Sequence, residues 1–143
     1  MNYELIMLRN ALRMKNCAEN FRDELKHIAL RSYDTFNWRD GTMGQIELMS
    51  SVSQKIEECL RFYEIVKSAL LLIPKGYRAL LIAVYLKEID KKKLAKRYFV
   101  SLSTVYRKLK RARTSFSKAL KSLGCSEEWF EANYGDMQLA YSS

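Results

Sequence analysis

Leu94-Ala95-Lys96-Arg97-Tyr98-Phe99-Val100-Ser101-Leu102-Ser103-Thr104-Val105-Tyr106-Arg107-Lys108-Leu109-Lys110-Arg111-Ala112-Arg113 reads as two helices joined by a short turn. Two short helices that cross steeply need a small residue at the crossing and apolar residues around it. Ala95 meets the first need, and Leu94, Tyr98, Val100, Val105 and Leu109 meet the second. Ser101 stands where an N-cap belongs, its hydroxyl able to accept from a free backbone N–H of the next turn. The pattern is that of a helix-turn-helix whose second helix touches double-stranded DNA. Leu102, Ser103, Thr104, Tyr106 and Arg107 are expected to face bases, the small hydroxyls approaching base edges and Arg107 gripping guanine bidentately. Lys93, Lys110, Arg111 and Arg113 are expected to hold phosphates. One position breaks the pattern: such turns often use Gly at positive φ, and here Phe99 occupies the site, so a wider or differently shaped turn is expected. The bland alternative is a solvated basic surface over a helical core.

Charge is segregated along the chain. Residues 1–72 carry 10 Lys and Arg against 10 Asp and Glu, residues 73–123 carry 15 against 2, and residues 124–143 carry none against 4. The whole positive excess therefore sits on the segment with the motif, where it attracts polyanions. A membrane surface is the other polyanion, but the basic segment interleaves Leu, Val and Tyr as a two-helix core and lacks one long helix with a broad apolar face. The longest apolar run, Ala79 to Leu86, has 8 residues against the roughly 20 needed to span a bilayer. Glu4 and Arg9 interrupt the first residues, and no small-residue cleavage site follows, which argues against secretion. Cys17, Cys59 and Cys125 are odd in number and too far apart for a zinc knuckle, which suits reduced thiols in a cytoplasmic protein.

With 5 Gly, 1 Pro and recurring helical periodicity, an all-α fold is expected. Met7, Ala11, Met14, Ala18, Phe21, Leu25 and Ile28 draw one apolar stripe, and Met49, Val52, Ile56, Cys59, Tyr63, Val66 and Leu70 draw a second. Between them, Arg31 to Gly44 reads as a loop, so residues 1–72 form a helical hairpin. The stripes fit a homodimer seam, the arrangement expected for residues 1–72, and the alternative is an intrachain seam that closes each hairpin on its own core. Pro74 marks a new helix start, Asp90 a cap, and Gly124 the stop of a long recognition helix with Val105, Leu109, Ala112, Phe116, Ala119 and Leu123 on its core side. Residues 73–123 form the helix-turn-helix unit and residues 124–143 a short acidic tail, in which Trp129, Phe130 and Tyr134 suit a short helix that packs.

The order Ile73-Pro74-x-x-x-Arg78, Val84-Tyr85-Leu86, Leu94-Ala95-x-x-Tyr98, Val100-Ser101-x-Ser103-Thr104-Val105 and Leu109-x-Arg111-Ala112 resembles region 4 of bacterial sigma factors. It is similar also to the small phage-type regulators of Gram-positive bacteria that borrow that region, of the ArpU and RinA kind. The resemblance covers about a third of the chain. It implies a recognition helix in the major groove, base-facing roles for Leu102, Ser103 and Arg107, phosphate contacts for nearby Lys or Arg, and RNA polymerase as a further partner. Residues 1–72 do not resemble the aromatic-rich sigma region that opens the promoter, so a DNA-binding regulator fits better than a full sigma factor.

Other classes have less to stand on. His27 is the single histidine and lies beside the apolar stripe, more a helix-surface residue than a catalytic base. Glu57 with Glu58, and Glu127 with Glu128, are adjacent pairs whose side chains diverge on a helix, so no acid/base dyad, metal site or cofactor is expected. Site-specific recombinases also end in a helix-turn-helix, but residues 1–72 are too short and too helical for their catalytic domain. A protein-interaction module whose basic region binds an acidic protein partner is the competing class. RNA ranks lower, because the aromatics are spaced as core residues rather than as a stacking platform.

Overall fold

The computed structural model describes residues 3–34 and 41–141, the side chains of 31–34, 41–43, 45 and 136–141 excepted. The described residues are all-α: α1 (Tyr3–Asp34), α2 (Gly41–Leu72), α3 (Lys75–Leu81), a π-helical turn (Ile82–Leu86), α4 (Lys91–Arg97), α5 (Leu102–Ser122) and α6 (Glu127–Tyr141). Helix extends into both ends of the expected 31–44 loop, to Asp34 and from Gly41; its middle lies outside the described residues.

Two compact units divide the chain, Leu12–Tyr63 on the one hand and Met1–Ala11 with Glu64–Ser143 on the other. The division falls inside the hairpin rather than at residue 72. In the Leu12–Tyr63 unit the two stripes close on each other: Ala18 and Ile28 of α1 and Val52 and Ile56 of α2 are buried, with Phe21, Leu25, Met49, Cys59 and Leu60 packed around them. Two cations lie over rings along this seam, Lys15 Nζ at 5.4 Å from the Tyr63 centroid and Lys55 Nζ at 5.6 Å from that of Phe21. These portions of the stripes therefore bury each other within one chain.

The second unit holds α3, α4, α5 and α6 with the start of α1 and the end of α2. Met7, Leu8, Val66, Leu81, Leu94, Phe116, Leu120 and Phe130 are all buried. The Tyr3 hydroxyl donates to the Cys125 carbonyl at 3.0 Å, and its ring lies 5.8 Å from that of Phe130. Cys125 and Phe130 of the acidic C-terminal segment thus belong to this unit's core. That segment's helix starts where the Ser126 hydroxyl accepts from the Trp129 N–H, and it kinks at Tyr134, whose backbone leaves helical geometry.

The local starts and stops follow from side-chain chemistry. The Asp90 carboxylate accepts from the Lys92 N–H and begins α4; the Ser101 hydroxyl accepts from the Thr104 N–H at 3.2 Å and begins α5. At the other end of α5, Gly124 takes φ +81°, Cys125 N–H donates to the Leu120 carbonyl and Gly124 N–H to that of Lys121. This 6→1 and 5→2 pair is a Schellman stop, which needs a residue without a Cβ penalty in the left-handed region. Leu123, placed on the core side by its spacing, lies past the last helical residue and is exposed.

α5 packs against both α3 and α4. Leu94 and Ala95 are buried as a crossing requires, and Val100 is half-buried, whereas Tyr98 is 55% exposed. The turn itself is tight. Phe99 enters the left-handed region at φ +54°, where Gly is the easier residue, and Val100 N–H still reaches the Ala95 carbonyl at 3.0 Å. The expected widening does not occur; the chain keeps the compact turn and accepts the strain. A left-handed L-residue costs roughly 1–2 kcal/mol, partly offset in a Gly variant by the extra freedom of the unfolded chain. Phe99→Gly is therefore expected to stabilise the protein by about 0.5–1 kcal/mol, read as a rise in the thermal unfolding midpoint. A fall would mean that the Phe99 ring contributes packing that outweighs the backbone strain.

Candidate nucleic-acid interface

α5 divides its residues sharply between inside and outside. Val105, Leu109, Ala112, Phe116, Ala119 and Leu120 are buried. At 3.6 residues per turn, Ser103, Arg107, Lys110, Thr114, Lys118 and Lys121 fall on the opposite side, and all are exposed, as is Arg111 next to them. The result is a polar stripe running the length of a 21-residue helix, with four Lys or Arg along its line. Lys121 lies within electrostatic reach of the Glu128 carboxylate; Arg107, Lys110 and Lys118 face solvent. Lys118 and Lys121 extend the face beyond what the motif suggested. Their signal in the sequence is the same three- and four-residue step continued past Arg113.

The residues expected to read bases do not all stand alike. Ser103 and Arg107 lie fully on the exposed stripe. Thr104 is half-buried, and its hydroxyl is 2.8 Å from the Ser101 hydroxyl, which also lies 3.0 Å from that of Ser103. The start of α5 is thus a small hydroxyl cluster around the N-cap. A hydroxyl carries one donor and two acceptor lone pairs, so Ser103 retains capacity for an outside partner. Leu102 is half-buried on the flank toward the core. Tyr106 is 50% exposed, and the Lys91 ammonium at the start of α4 lies 5.0 Å from its ring centroid. The ring therefore also carries a cation from the neighbouring helix.

Among the phosphate candidates, Lys93 on α4 and Lys110 and Arg111 on α5 are exposed, and Arg113 is half-buried on the flank. Lys96 and Arg97, not singled out by the motif, are exposed in the last turn of α4. Thr114 turns its hydroxyl back to the Lys110 carbonyl at 3.0 Å, which commits its proton within the helix.

No family model, curated protein or solved structure matches the chain.

Groups with other chemistry stand elsewhere. His27 is exposed on α1, and Glu57 and Glu58 are exposed on α2. Burial pushes the Cys59 and Cys125 thiols up from their ordinary range, which disfavours the nucleophilic thiolate. Among the described residues, no three His, Cys, Asp or Glu side chains stand together as a metal site would need, and no helix is long and apolar enough to cross a membrane.

Proposed function

We propose that this chain is a cytoplasmic, sequence-specific regulator of transcription that binds double-stranded DNA through α5, with α4 crossing behind it as the first helix of a helix-turn-helix. The observation that carries this reading is the exposed polar stripe Ser103, Arg107, Lys110, Thr114, Lys118 and Lys121, opposite the buried face of one helix in the most basic segment of the chain. An α-helix fits the major groove, where each base pair presents its own donor and acceptor pattern. Near the helix start, Ser103 and Arg107 suit base edges; farther along, Lys110, Arg111, Lys118 and Lys121 suit the phosphates that flank the groove.

Selection of bound sequences from random duplex DNA, followed by fluorescence anisotropy on the selected site and a scrambled one, tests the reading. Arg107→Ala is expected to lose about 1–3 kcal/mol of discrimination between the two sites. Lys110→Ala is expected to weaken both alike, since a phosphate contact carries no sequence information. Equal affinity of the unaltered chain for both sites would remove sequence specificity from the proposal. Discrimination surviving Arg107→Ala would move the reading residues off this face.

A further inference from the structure

A second surface lies on the other side of the same helix. Lys75, Gly76, Tyr77, Ala79 and Leu80 of α3, Tyr98 and Val100 of the turn, and Val105 and Lys108 of α5 line an open apolar cleft of about 540 Å³. By helical geometry, Val105 and Lys108 sit roughly 170° and 130° around α5 from the centre of the Ser103, Arg107, Lys110 and Thr114 stripe. A ligand in the cleft and a duplex on the stripe therefore do not compete for the same residues.

Phe99 stands between two of the cleft's lining residues in sequence. It is 95% exposed and held at φ +54°. Among the described residues the Phe99 ring is almost fully open to water, and its backbone stands where Gly is the easier residue. Strained positions with exposed side chains are characteristic of ligand clamps. Exposed aromatics beside an apolar groove supply the anchors that dominate protein interfaces.

Charge chooses the kind of partner. Lys75 and Lys108 border the cleft, and Lys96 and Arg97 end the helix that leads into the turn. Residues 73–123 carry 15 Lys and Arg against 2 acids, so a basic partner, a second copy of this unit included, would be repelled. We infer that the cleft between α3, the Tyr98–Val100 turn and α5 docks an acidic amphipathic helix of a protein partner. Its apolar side chains enter between Gly76, Ala79 and Val105, and its carboxylates meet Lys75 and Lys108. The inference goes beyond DNA binding and does not depend on it.

The test uses the full chain and a labelled synthetic helix of about four turns, with Leu at i, i+3, i+4 and i+7 and Glu on its flanks; its control has the same composition with the leucines scattered. Anisotropy is read with and without saturating duplex DNA. The ordered peptide is expected to bind at least tenfold more tightly than the scattered one, and equally well in the presence of duplex. Gly76→Glu places a carboxylate at the cleft, where a Cβ meets nothing within 4 Å and where an acid in the first turn favours the helix, so folding is preserved. It is expected to weaken the ordered peptide at least tenfold and duplex binding less than twofold. Phe99→Gly is expected to weaken the peptide severalfold. Equal binding of the two peptides, displacement of the peptide by duplex, or unchanged peptide affinity in Gly76→Glu would each overturn the inference. Failure of the chain to bind duplex would defeat the DNA-binding proposal and leave the peptide result to stand by itself.

Discussion

Arg78→Ala is expected to lower the unfolding free energy by about 3 kcal/mol, measured by urea or thermal denaturation. The Arg78 Nε donates to the Leu70 carbonyl at 2.7 Å, and one terminal nitrogen reaches the carbonyls of Leu71 and Ile73 at 3.2 Å each. Those acceptors lie at the end of α2, where the last carbonyls of a helix have no partner of their own. Truncation removes a charged donor from three acceptors, two of the three bonds being part-buried. Arg78→Lys is expected to recover less than half of the loss, because a single ammonium cannot span carbonyls that a planar fork reaches together. A midpoint unchanged in Arg78→Ala would mean that water serves the end of α2 as well as the guanidinium does.

The second large effect is on duplex affinity. Raising salt from about 50 to about 200 mM is expected to weaken binding by roughly a thousandfold, the fall that follows when about six phosphates are neutralised and their counterions released. Lys93, Lys110, Arg111, Arg113, Lys118 and Lys121 supply that number from α4 and α5. Because Lys118 and Lys121 continue the stripe toward the end of the helix, Lys118→Ala and Lys121→Ala should each make the logarithmic salt slope shallower by about one. A slope shallower than about −2 for the unaltered chain would leave most of the stripe unused and would count against α5 as the DNA-facing helix.

What the sequence disclosed was chiefly local. Asp90, Ser101 and Gly124 act within one turn of themselves, so residue type and position sufficed to place the ends of α4 and α5. The buried side of α5 was legible because five of its six buried residues repeat at three- and four-residue steps. Phe99 misled for a physical reason: its side chain argues against the left-handed region, and packing of α4 on α5 evidently overrides that local preference. The fork of Arg78 depends on carbonyls five to eight residues away across a helix end, and the Tyr3–Cys125 hydrogen bond joins residues 122 apart. No periodicity encodes such contacts. For the same reason the unit boundary inside the hairpin could not be read, since the stripes continue unbroken through it. Of the residues singled out as a site, Ser103, Arg107, Lys110 and Arg111 are exposed on α5, as the helical period implied; the cap and the cation that engage Thr104 and Tyr106 were not legible.

The π-helical turn bears on how this protein can change length over evolutionary time. Across Ile82–Leu86 the ladder is widened, Lys87 N–H reaching the Ile82 carbonyl, and Ile89 N–H then reaches Ala83. A π turn holds one more residue than an α turn over the same span. A one-residue deletion there can relax the ladder to ordinary α geometry and leave the packed segments on either side in register. The same deletion near the start of α5 has no slack to consume: it would rotate the downstream helix by about 100°, moving Ala112 to the exposed place of Arg111, and Lys110 and Lys121 to the buried places of Leu109 and Leu120. A one-residue deletion is therefore expected to be better tolerated in the turn after α3 than near the start of α5.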